Sequence, residues 1–170
     1  MNRNPVDKSH RDVKEKLLPA DIDEILKKYG HLLADYPAIA ENGPIYPEYK
    51  RTKRLLYVLF PLKKHPVHGI TGLLAIEKYD ADGYVEKYSY QWKVIYPKMG
   101  KMFKHISAWE NEPHDAEWTE KALQVESEPH HHHHVPGDRK QRQANWDVWT
   151  LDEAFAFVAE YIESGKEYKP

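Results

Sequence analysis

Between Pro19 and Pro37 the apolar residues Ile22, Ile25, Leu26, Tyr29 and Leu33 recur at intervals of three and four, which puts them on one face of an α-helix. Asp21, Asp23 and Glu24 open that helix, where the dipole stabilises carboxylates. The period then changes. Leu55-Leu56-Tyr57-Val58-Leu59-Phe60 is a compact apolar run closed by Pro61, and a second run extends from Ile70 to Tyr79. Asp80-Ala81-Asp82-Gly83 is a turn signal leading into a strict alternation. Tyr84, Tyr88, Tyr90, Trp92, Val94 and Tyr96 share one face, and Val85, Lys87, Ser89, Gln91, Lys93 and Ile95 share the other. Large rings at period two read as core. Pro97-Lys98-Met99-Gly100 marks the next reversal, and Met102 to Trp109 supplies a further strand.

Toward the C-terminus Thr150 and Glu153 form a T-x-x-E capping box, and Leu151, Ala154, Phe155, Val158 and Ile162 repeat at helical spacing until Gly165, a residue suited to the left-handed helix cap. The pattern predicts an α+β domain: an antiparallel β-sheet meander of four strands, with an N-terminal helix and a C-terminal helix packed on it. Its expected limits are 19–165, preceded by a mobile polar arm over 1–18 and followed by a tail over 166–170. Residues 35–52, rich in Pro and Tyr, read as an ordered connection without regular structure.

At 170 residues, 41% hydrophobic and 31% charged, the chain has the size and composition of one globular domain. No apolar run approaches the roughly 20 residues that span a bilayer, and the first residues lack a secretory apolar stretch, so a cytoplasmic protein with no membrane partner is expected. The absence of cysteine leaves only His, Asp, Glu or backbone oxygens to hold a metal. A formal charge of -2 gives no general attraction to nucleic acid, so phosphate contact requires a local patch. Arg139, Lys140 and Arg142 form one, which reads either as a solvated loop or as a phosphate-binding segment.

Eleven histidines are present, five of them consecutive, His130 to His134. If residues 125–135 are extended, Val125, Ser127, His131, His133 and Val135 share a face that the two valines mark as inward, leaving Glu126, Glu128, His130, His132 and His134 in water. Three readings of the run stay open. Alternate imidazoles, about 7 Å apart on a strand, can converge on zinc or nickel. His130, His132 and His134 would then be ligands, with His114, Asp115 or His105 supplying another. Alternatively, His131 and His133 perform acid-base chemistry on a phosphodiester of RNA while Arg139, Lys140 and Arg142 stabilise the developing charge. The third reading is a hydrated surface strand without chemistry. His10, His31, His65 and His68 read as structural or exposed, and His105 as a core-edge residue. The aromatic stretch Tyr36 to Tyr49 is a possible protein-docking segment.

Taken in order, Tyr88-Ser89-Tyr90-Gln91-Trp92, Trp109-Glu110-Asn111-Glu112-Pro113-His114, Glu128-Pro129 with the histidine run and Val135, and the Thr150-Leu151-Asp152-Glu153-Ala154 helix start resemble the TumE-like family. Its members are toxin components of bacterial type II toxin-antitoxin pairs. The likeness spans roughly residues 84–163, and it maps a Pro-His-His-x-His pattern onto Pro129, His130, His131 and His133. An Asn-x-Pro-His pattern falls on Asn111, Pro113 and His114. The resemblance implies a toxin neutralised by a cognate antitoxin, often a helix-turn-helix protein. RNA is the target that joins this label to the imidazoles and the basic patch, with catalysis expected from His131, His133 and His114 and no cofactor required.

Overall fold

The computed structural model describes residues 11–34, 48–96, 105–112, 124–133 and 142–169, without the side chains of Tyr96 and His133. Seven antiparallel strands lie side by side in chain order: β1 Glu48–Arg51, β2 Leu55–Pro61, β3 Ile70–Tyr79, β4 Val85–Tyr96, β5 His105–Glu110, β6 His131–His133 and β7 Arg142–Ala144. One helix precedes them, α1 Ile22–Tyr29, and one follows, α2 Leu151–Ser164. This is the α+β meander that the hydrophobic pattern predicts, with three strands beyond the expected four. Those three, β1, β6 and β7, are short and largely polar, and the exposed β1 forms by backbone pairing to the free edge of β2. Short strands of polar residues leave no hydrophobic periodicity to read.

α1 stops at Tyr29 instead of reaching Leu33; Gly30–Leu32 tightens into one 3-10 turn, and Leu33 pairs with Leu62 beside the sheet. α2 matches its sequence signals. Thr150 Oγ1 accepts the Glu153 N–H at 3.2 Å, and Gly165 closes the helix at φ 70°, a conformation open to glycine.

Both helices cover one face of the sheet. Leu56, Val58 and Phe60 of β2, Leu73 and Ala75 of β3, Tyr88, Tyr90 and Trp92 of β4, and Trp109 of β5 meet Leu151, Ala154, Phe155 and Val158 of α2. Phe155 stacks on Tyr29 at 5.0 Å and meets the edge of Phe60 at 4.9 Å. Within this layer Glu77, 1% exposed, is matched by the hydroxyls of Tyr79 at 2.8 Å and Tyr90 at 2.5 Å and by the Ala20 N–H at 2.9 Å. Three donors offset the loss of water around the carboxylate.

Residues 11–18, whose polarity reads as an arm, are largely exposed but are anchored to the domain at Arg11 and Leu17. Arg11 lies 3.9 Å over the Trp149 ring and 2.9 Å from Glu153, and the Leu17 carbonyl accepts the Val85 N–H at 2.9 Å. Two histidines hold the residues after α2. His65 Nε2 donates to the Lys166 carbonyl at 2.8 Å, and His68 Nε2 accepts the Tyr168 N–H at 2.9 Å. Among the described residues no helix is long and apolar enough to cross a membrane.

Candidate functional site

The histidine run becomes the sixth strand. Glu110, Trp109 and Ala108 of β5 pair with His131, His132 and His133, which pair in turn with Ala144, Gln143 and Arg142 of β7. Consecutive side chains on a strand point to opposite faces, so neighbouring imidazoles enter different surroundings.

His130 and His132 face the helices. The His130 ring stacks 3.9 Å from Trp149 with an 11° tilt, and the residue is 3% exposed. Its Nδ1 accepts the Tyr88 hydroxyl at 2.8 Å and its Nε2–H donates to the Val13 carbonyl at 3.2 Å. One nitrogen accepting and one donating is the pattern of a neutral imidazole, and burial pushes the His130 pKa down to about 4. His132 stacks on Trp109 at 5.2 Å and hydrogen-bonds through Nε2 to Ser107 Oγ. Ser127 and Asn145 fix the entry to the strand. Ser127 Oγ donates to the His130 carbonyl at 2.5 Å and accepts the Asn145 N–H at 2.7 Å, while the Asn145 carbonyl accepts Trp149 Nε1–H at 2.6 Å.

The expected water-facing set is thus corrected: His130 lies in the core, and the His132 ring packs on core aromatics. Residues 126–129 form a turn, so Val125 does not belong to the strand and cannot set its phase. The flat aromatic surfaces of Trp109 and Trp149 set it instead.

His131 points to the opposite face and is fully buried. Its Nε2 lies 3.2 Å from Glu110 Oε1 and its Nδ1 3.1 Å from the Pro129 carbonyl. Both partners are acceptors; a protonated ring donates to both and a neutral ring to one. The Glu110 side chain is 29% exposed and lines a cavity of about 280 Å³ with Ile76, Lys78, Lys87, Ser89 and Glu112. Register explains the grouping, because Ile76, Ser89, Glu110 and His131 are successive cross-strand partners from β3 to β6. Asn111 stiffens the wall by accepting the Tyr88 N–H at 2.8 Å and donating to the Glu86 carbonyl at 3.1 Å.

Of the catalytic residues expected from sequence, His131 is in this group and His133 is placed by backbone register opposite Ala108 and Arg142. His114 lies outside the described residues, as do Asp115, His134, Arg139, Lys140 and the docking stretch up to Pro47. Arg142 is described, and its Nε and Nη1 are buried without a hydrogen-bond partner among the described residues. By strand alternation Arg142 shares the face of Ala144, the partner of His131.

His130 and His132 lie on one face and His131 on the other, with both nitrogens of His130 engaged. No group of three or more His, Asp or Glu able to hold a metal occurs among the described residues. Sequence reasoning missed Glu110, Lys78 and Lys87 as site residues. A signal did exist: Lys87 and Ser89 belong to the non-aromatic face of the alternating strand, and Glu110 stands inside the Trp109 to His114 motif. No protein-family model, curated protein or solved structure matches this chain.

Proposed function

We propose that the protein is a toxin-type ribonuclease acting through the Glu110–His131 pair. One observation carries the reading: a partly exposed carboxylate, backed at 3.2 Å by a buried imidazole, borders a cavity that also holds two lysines. A carboxylate in that position is a general base for a hydroxyl entering the cavity, and His131 is the positioning residue that orients it.

In the proposed reaction a ribose 2′-hydroxyl gives its proton to Glu110 as its oxygen bonds to the adjacent phosphorus. The bond from phosphorus to the 5′-oxygen breaks, and that oxygen takes a proton from an imidazole, the role assigned to His133 or His114. The products are a 2′,3′-cyclic phosphate and a 5′-hydroxyl, with no change in redox state. Arg142, with two donors unmatched among the described residues, stabilises the charge that grows on the phosphate, and Arg139 and Lys140 extend the same basic segment. The TumE-like motifs support a toxin held in check by a cognate antitoxin, often of helix-turn-helix type, in the cytoplasm where transcripts are made.

Inducible expression tests this. Wild type arrests growth and fragments transcripts, and purified protein cleaves single-stranded RNA to cyclic-phosphate ends with chelator present. Glu110→Gln and His131→Gln lower the rate by roughly 10²- to 10⁴-fold, the usual contribution of a positioned acid or base. Undiminished toxicity and cleavage in both folded variants would overturn the assignment.

A further inference from the structure

We propose that the cavity beside Glu110 is a subsite for one ribonucleotide, with its phosphate on Lys78 and Lys87 and its ribose hydroxyls on Glu112. This rests on the ribonuclease reading for its place in a reaction, but its geometry stands separately. Lys78 and Lys87 are direct cross-strand partners, so two like charges face each other on adjacent strands. Such a pair is destabilising by itself. Both lysines are exposed, and no ion pair engages either among the described residues. A phosphate between them removes the repulsion and gains charge-assisted hydrogen bonds from both.

The rest of the cavity makes the ligand more specific. Its β5 side carries Glu110 and, just past the strand end, the exposed Glu112, so a phosphate is attracted to the lysine wall and repelled from the acidic one. Carboxylates accept hydrogen bonds from hydroxyls, and the acidic wall therefore suits the sugar. Ile76 and Ser89, cross-strand partners, lie between the two walls and supply an apolar patch and a hydroxyl. The volume of about 280 Å³ sits at the small end of ligand pockets, room for one nucleotide unit and not for a duplex. The nucleotide seated here neighbours the one whose 2′-hydroxyl meets Glu110, and its own 2′-hydroxyl, the group that distinguishes RNA from DNA, falls to Glu112.

The test titrates the full chain with adenosine 3′-monophosphate, 2′-deoxyadenosine 3′-monophosphate and adenosine by calorimetry, at low salt. The ribonucleotide binds, adenosine without phosphate binds at least about tenfold more weakly, and the Lys78→Gln/Lys87→Gln double variant loses about tenfold in affinity for the ribonucleotide. The deoxynucleotide binds more weakly than the ribonucleotide, and Glu112→Gln closes that gap. All three positions are exposed, so the variants fold, with Glu112→Gln at the wild-type melting temperature and the lysine double variant at or slightly above it. Ribonucleotide affinity unchanged by the lysine substitutions, or equal affinity for the ribo and deoxy ligands, would overturn the subsite. RNA cleavage by the same preparations separates the two proposals: loss of cleavage in Glu110→Gln with lysine-independent binding keeps the ribonuclease and removes the subsite. Lysine-dependent binding without cleavage in wild type does the reverse.

Discussion

His130 and His131 are joined by one peptide bond and have opposite surroundings. His130 is sandwiched into an aromatic layer, 3.9 Å from Trp149, with a hydroxyl and a carbonyl satisfying its two nitrogens. His131 meets a carboxylate and a carbonyl on the other face of the sheet, where Glu110 opens to a cavity. The same side chain serves as core in one position and as the partner of a partly exposed carboxylate in the next. Strand alternation divides the run in this way, and composition cannot show it, because five identical letters carry no phase of their own.

The largest test of the division is structural. His130→Ala removes a stacked ring, leaves the Tyr88 hydroxyl only the long 3.5 Å contact to the Val148 carbonyl and takes the donor from the Val13 carbonyl, and is expected to destabilise the fold by about 3 to 4 kcal/mol. Thermal melting then shifts down by roughly 10 °C for a chain of this size. A loss below about 1 kcal/mol, the size of an ordinary surface change, would mean that His130 is not a core residue.

The second test uses protons. His130 has a folded pKa of about 4 against an ordinary 6.5, so the unfolded chain binds a proton that the folded chain refuses between those values. Its contribution to stability is fully present above pH 6.5 and falls away as the pH drops toward 4, by roughly 3 kcal/mol in all. Urea unfolding of wild type and His130→Phe at pH 7, 5.5 and 4.5 isolates this, since the other titrating groups cancel in the difference. Parallel pH profiles for the two proteins would contradict the buried, neutral assignment.

A smaller perturbation calibrates the comparison. Thr150→Ala removes the side-chain cap of α2 and is expected to lower stability by about 1 kcal/mol while leaving RNA cleavage by the folded protein unchanged. It separates loss of fold from loss of chemistry. A Thr150→Ala protein that is folded but inactive would show that cleavage depends on the helix side of the sheet.

The long elements were legible in the sequence because burial writes a period into them. β2, β3 and β4 follow from apolar runs and from the Tyr88, Tyr90 and Trp92 alternation, and α2 from Thr150, Glu153 and Gly165. β1 and β7 were not, since backbone pairing selects no side chain, and β6 was legible only as a conditional extended stretch over 125–135. The site was half legible. His131 and Arg142 fall within the proposed chemistry, and the resemblance motifs contain Glu110, but the inward phase that Val125 and Val135 suggest for β6 does not hold, since Val125 lies outside the strand. Glu110 gained its role only once register set it opposite both Ser89 and His131, a relation across three strands that local sequence does not hold. Likewise, nothing local shows that Arg11 would lie on Trp149, 138 positions away in a chain of 170.

The most direct test of the divided strand is the cleavage rate of a short single-stranded RNA by Glu110→Gln and His130→Phe, each corrected for its folded fraction. The account predicts a fall of roughly 10²- to 10⁴-fold for Glu110→Gln with its melting temperature preserved, and a near wild-type rate for whatever fraction of His130→Phe is folded. Wild-type cleavage by Glu110→Gln, or equal loss in folded His130→Phe, would contradict it.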